Sequence, residues 1–215
     1  MQIPPPPEEL GIRGPPLGVK GMTELDRDAF SLKAVFPALE IDMTWMQTLY
    51  KPLKHVRFMH KKFETVRPIP PPPEGKDEVE AESSTRKLML LDPEVAPDFD
   101  SLVAAMKTKS VSSFLDRFKI TREHFRFEVV QLHYADFTSD TVLTWILPDE
   151  VGPVTGFSQC GHIVHLNLKE HHLPFKKLIA QVLLDNVRAA RTVVNKTTEI
   201  HHVYRNFEFE VGERE

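Results

Sequence analysis

The chain predicts an α+β architecture, a mixture of helices and mainly short strands, on three observations. His162 to Leu168 alternates, with Val164, Leu166 and Leu168 on one face and Ile163, His165 and Asn167 on the other, as in a half-buried strand. Phe175, Leu178, Ile179, Val182 and Leu183 then fall at helical spacing, forming one apolar stripe. Two β-rich runs follow, Thr192 to Asn195 and Asn206 to Val211. Strand, helix, strand, strand is a β-α-β-β module that packs a helix on one sheet face. Upstream, strand-like and helix-like segments mix within a small N-terminal α/β domain. The expected division is an arm over 1–20, an N-terminal domain over 21–150 and the β-α-β-β module over 151–215.

From the start, Pro4 to Pro7, Pro15, Pro16 and three glycines predict an extended, disordered arm. Asp26 to Met59 opens the folded part, with Phe30, Ala34, Val35, Leu39 and Ile41 loosely spaced. Trp45, Leu49 and Leu53 fit a helix over 44–54. Lys51, Lys54, His55, Arg57, His60, Lys61, Lys62 and Arg67 form a basic strip, read first as a solvated helix face and second as a phosphate-facing one. Residues 67–85 hold Pro68, Pro70 to Pro73, Asp77, Glu78, Glu80, Glu82 and Ser83-Ser84, a composition that cannot offset its chain entropy and reads as an inserted linker. Arg86 to Leu91 resumes as a strand. Phe99 to Met106 is helical behind an Asp98 or Asp100 cap, and Ser110 to Phe118 is a second short helix. Phe125 to Tyr134 alternates as a strand. Asp140 to Leu147 is a helix stopped before Pro148. Pro174 stands in the first turn of the module's helix, where a missing N–H has no helical partner.

Composition narrows the function. At 215 residues the chain has room for one or two domains, and 41% hydrophobic residues suffice for a core. A formal charge of −4 excludes a globally basic nucleic-acid binder, so any such surface is local. A single cysteine, Cys160, excludes an internal disulfide framework. No run approaches the roughly 18 apolar residues of a membrane span, so no membrane partner is expected. The arm lacks the Arg- and Ser-rich, acid-poor character of a transit peptide, and there is no clear targeting signal. Six of the ten histidines lie in the module, two pairs of them adjacent (His171-His172 and His201-His202), but no metal-binding frame surrounds them and no metal is expected. Ser158-Gln159-Cys160 has no base partner for nucleophilic catalysis.

The ordered blocks Gly156 to Lys169, Leu173 to Ile179, Val194-Asn195-Lys196 and Tyr204 to Val211 resemble the middle domain of the eukaryotic tRNA (guanine-37, N1)-methyltransferase family. Lys20 to Arg27 with Phe30, and Lys87 to Pro93, are similar to the family's N-terminal domain. The resemblance implies transfer of a methyl group from S-adenosyl-L-methionine to N1 of the guanine 3′ of the anticodon. It implies tRNA, at its anticodon region, as the partner, a monomer as the state, and the cytoplasm, nucleus or mitochondrial matrix as the compartment. Arg205 matches the family's arginine that meets guanine O6, with Tyr204 beside it. Lys169, Lys176, Lys177 and Lys196 are candidate RNA contacts, with Arg191 alongside them. The family's cofactor sits on a glycine-rich strand-to-helix turn in a Rossmann-type methyltransferase domain. None of the nine glycines stands at such a turn, and the family's continuation after the final strand differs from Glu210-Val211-Gly212-Glu213. The expectation is therefore a front part without the Rossmann domain, binding no cofactor itself. A non-catalytic RNA- or protein-binding module derived from the family remains the alternative.

Overall fold

The computed structural model describes residues 9–69, 85–108, 113–154 and 156–196, and the backbone of 209–213. It is an α+β fold with two four-stranded sheets. The chain forms two compact units, one of 1–13 with 33–131 and the other of 14–32 with 132–215.

In the first unit the sheet order is β2-β3-β1-β4, from β1 (Leu32–Asp42), β2 (Val66–Pro68), β3 (Arg86–Leu90) and β4 (Phe125–Leu132). β1 pairs antiparallel with β3, Leu39 opposite Met89. The loose apolar spacing of 30–41 has a physical reason: β1 is covered on both faces. Leu39 and Ile41 enter a core with Leu49, Leu53, Met89, Leu102 and Met106, while Phe36, of opposite parity, meets Phe58 and Phe63. Alternation marks a strand only when one face is wet.

The helix expected over 44–54 is α1 (Met43–Tyr50) followed by a 3₁₀ turn over Pro52–His55. Asp42 caps it, its Oδ1 accepting from the Thr44 amide at 2.8 Å and the Thr44 hydroxyl at 2.7 Å, and those bonds hold its carboxyl below the usual range. Of the two proposed caps for α2 (Phe99–Thr108), Asp98 serves: its Oδ1 accepts from the Ser101 amide at 2.7 Å. A short α3 (Ser113–Arg117) follows.

Three expectations change here. The arm is not extended throughout: Leu10 is buried and bridged to Val35, with the Gly11 amide donating to the Val35 carbonyl at 2.7 Å, and Val19 is fully buried. The linker begins later than residue 67, because Val66–Pro68 pairs with β3; residues 70–84 lie outside the described residues. The basic strip is not one solvated helix face. Arg57 is 5% exposed and stacks on the Tyr50 ring at 3.8 Å, an aromatic contact that helps offset its desolvation.

In the second unit α4 (Ser139–Ile146), capped by the Thr138 hydroxyl, packs on α5 (Lys176–Asn186). The sheet order is β5-β6-β7-β8, from β5 (Ser158–Cys160), β6 (Ile163–Leu166), β7 (Thr192–Lys196) and β8 (Phe209–Glu213). β5 and β6 form a hairpin around Gly161-His162, and Gly161 at φ +60° suits the hand of such a turn. β6 and β7 are parallel, Leu166 opposite Asn195, with α5 as the crossover. Val164, Leu166, Leu178, Ile179, Val182 and Leu183 are buried as their periodicity predicts. Pro174 is not in the first turn of α5 but in a 3₁₀ segment, Glu170–Phe175, that leads into it.

The expected boundary near 150 differs from the observed units. Residues 132–150 pack with the second unit, as does the Gly14–Leu32 segment. The reason is a set of contacts invisible to periodicity. Phe30, fully buried, meets the Tyr134 ring edge-on at 5.3 Å and Phe137 at 6.5 Å. Arg27 pairs with Asp185 at 2.8 Å, and the Gly21 amide donates to the Ile146 carbonyl at 2.6 Å. Buried beside Asp185, the Tyr134 phenol has its pKa pushed well up, first by burial and then by that carboxylate.

Candidate functional site

The second sheet carries an open concavity of about 590 Å³ lined by Gly156, Phe157, Ser158, Gln159, Cys160, His165, Leu166, Asn167 and Lys196. Its floor is the carboxyl end of the parallel pair β6 and β7, where ligands of α/β units commonly sit. Parallel strands end together, and the crossover helix starts where the first strand stops. Lys169, before the 3₁₀ segment, and Lys176 and Lys177, which open α5, therefore lie on the connection that leaves this end of the sheet, and Lys196, which ends β7, lines the cavity itself. Lys169 and Lys177 are exposed; Lys176 and Lys196 are half-buried.

Two side chains that pattern reading passed over build the edge. Asn195 is 6% exposed, and its Oδ1 accepts from the Leu168 amide at 3.0 Å, tying the chain beyond β6 to β7. A lone amide inside the β-rich run Val193-Val194-Asn195 is the signal that could have found it. The Gln159 amide donates to the carbonyls of Gly161 at 3.0 Å and Arg188 at 2.8 Å, bracing the β5–β6 hairpin against the end of α5. At the other end of β7 the His162 carbonyl accepts from the Arg191 and Thr192 amides.

Tyr204 and Arg205 lie outside the described residues, as do His201 and His202. Lys196, which lines the cavity and ends β7, pairs with Phe209 of β8. Among the described residues no three His, Cys, Asp or Glu side chains converge as a metal site, and no helix is long and apolar enough to cross a membrane.

His172 is the one buried histidine among those described, 4% exposed, with neither ring nitrogen in a hydrogen bond of good geometry. Burial lowers its pKa, and the charge of His171 and Lys169 adds to this, while the Gly152 and Pro153 backbone opposes it. The sign follows. Unfolding restores an ordinary imidazole near 6.5, so the unfolded chain binds the proton more readily. This contribution to stability is whole above about pH 6.5 and falls as pH drops toward the lowered folded value. Melting temperatures from pH 7.5 to 5 should decline more steeply for the wild type than for His172→Gln; parallel declines would contradict the assignment.

With the site in place, relatives decide the family. Residues 140–212 match the family model described as the TYW2 N-terminal domain. The tRNA (guanine(37)-N(1))-methyltransferase of Danio rerio is 35% identical over 209 residues, 94% of this chain and 40% of the relative. The Homo sapiens protein of the same name is 33% identical over 203 residues, 94% of this chain and 36% of the relative. The chain belongs to the tRNA (guanine(37)-N(1))-methyltransferase family. It spans about 40% of the length of these methyltransferases. The crystal structure of Trm5b from Pyrococcus abyssi aligns with 83% of this chain and 43% of its own, at 12% identity and TM-score 0.40, a likeness too loose to carry an argument.

Methyltransferases of this name imply S-adenosylmethionine. The parallel crossover does not fit it: from Leu166 to Lys176 it runs through Asn167, Leu168, Lys169 and the 3₁₀ segment that holds Pro174, with no glycine. That turn lacks the glycines that let a backbone approach a nucleoside cofactor closely.

Proposed function

We propose that this chain is the RNA-facing part of a tRNA (guanine(37)-N(1))-methyltransferase, holding the anticodon region while N1 of the guanine 3′ of the anticodon is methylated. S-adenosylmethionine supplies the methyl group in that reaction, from a site the described residues do not form. The work of this chain is binding and orientation. Removing the N1 proton throws negative charge onto guanine O6, and the Arg205 guanidinium is the donor that meets it, with Tyr204 alongside. Lys169, Lys176, Lys177 and Lys196 meet the phosphates that bring the base there.

What supports the reading is that Lys196 lines the cavity at the carboxyl end of the parallel pair, the end of the sheet from which the connection bearing Lys169, Lys176 and Lys177 departs. A net charge of −4 makes this local edge, rather than the whole surface, the source of attraction. Four single-strand phosphate contacts predict a slope of log affinity on log salt of about −3, or about a fiftyfold loss between 50 and 200 mM. Anisotropy of a labelled anticodon stem–loop measures it. Each Lys→Ala change should lower the slope by about 0.7. A flat salt response would sink the proposal.

A further inference from the structure

We propose that the cavity between Phe157 and Lys196 is a pocket for one unstacked nucleobase. The inference deepens the RNA-facing reading and rests on it for the source of the base, though not for the pocket's chemistry. Its volume, about 590 Å³, lies within the range of clefts that take small ligands. Its walls sort into two kinds. Phe157 and Cys160 supply apolar surface, and Phe157 keeps 40% of its area exposed although it borders a concavity. Ser158, His165 and Asn167 supply polar groups, and Lys196 the positive charge.

A flat solute with apolar faces and a hydrogen-bonding rim matches that lining. Phe157 offers a stacking platform, the interaction on which single-stranded nucleic acid is held with little sequence preference. The register places Ser158 opposite His165 on one side of the sheet, and Asn167 follows two residues on. Asn167 is exposed, and an amide there can donate and accept in the plane of a base edge. Lys196 at the rim meets the attached phosphate. A bare phosphate or sugar phosphate would gain from Lys196 alone and leave the aromatic wall unused.

Cys160 is the chain's sole cysteine, is exposed, and lines this cavity, so its alkylation by iodoacetamide reports occupancy. Guanosine or adenosine 5′-monophosphate at ten times its dissociation constant should slow the reaction about tenfold, as mass action requires for a blocked thiol. Ribose 5-phosphate and inorganic phosphate should leave it unchanged. Phe157→Ala should lose the protection and Phe157→Tyr keep it, with melting temperatures taken to establish that both fold. Equal protection by ribose 5-phosphate would overturn the base pocket, as would no protection by either nucleotide at several millimolar. If the stem–loop still binds with a steep salt dependence in that last case, the RNA reading stands and the pocket alone fails. Nucleotide protection without stem–loop binding would uphold the pocket and reject the RNA reading.

Discussion

Replacing the arginine that corresponds to Arg205 with alanine in a full-length relative lowers kcat by about 10²–10³, the usual effect of losing one donor aimed at charge that develops in the transition state. The base is neutral when it arrives, and O6 becomes anionic only as the N1 proton leaves. A guanidinium there strengthens its interaction during the reaction, so the loss falls on kcat more than on KM. Lysine at that position retains charge but not the planar fork, and recovers only part of the rate. The lysine edge behaves in the opposite way. On the proposed reading its contacts with phosphate would be equal before and during methyl transfer, so alanine at the full-length relative's counterparts of Lys169 or Lys196 should raise KM with kcat nearly unchanged. Steady-state kinetics on anticodon stem–loop RNA separates the two patterns. A wild-type kcat in the arginine variant would take Arg205 out of the chemistry.

The second large effect is on stability. Phe30→Ala destabilises the second unit by about 3–5 kcal/mol, because Phe30 is fully buried against Tyr134 and Phe137 and truncation leaves a cavity as well as lost transfer energy. The two tryptophans make this readable. Trp145 lies in α4 of the second unit, edge-on to Phe137 at 4.8 Å, and Trp45 lies in α1 of the first. Urea unfolding followed through Trp145, in a Trp45→Phe background, should show the shift. A transition unmoved in that background would mean that the Gly14–Leu32 segment contributes nothing to the unit. Arg27→Ala gives a smaller loss, since its pair with Asp185 is half-exposed and screened.

The site was partly legible. Lys169, Lys176, Lys177 and Lys196 could be named from the sequence, but only the parallel pairing of β6 and β7 shows that the connection bearing the first three leaves the end of the sheet at which Lys196 stands. Phe157 and Asn195 carried no strong signal. One stands outside the periodic strand, and the other looks like an ordinary strand residue until its bond to the Leu168 amide is seen. Arg57 looked like a surface cation because charge is the only property its letter reveals. Its stacking on Tyr50 requires the turn between them to be folded.

What the amino-acid sequence determined unaided is everything with a short period, α2, α4, α5, β3, β4 and β6, together with the linked blocks that mark the family. A helix repeats its apolar side chains every three or four residues and a half-buried strand every two, so a few neighbours suffice to read either. Only the tertiary structure decided that Gly14–Leu32 completes the second unit, that both faces of β1 are covered, and that a cavity opens beside Lys196. Those outcomes depend on side chains brought together from far along the chain, Arg27 with Asp185 and Phe30 with Tyr134 among them. Their energy comes from shared burial, a property of the packed pair that neither residue's local pattern contains.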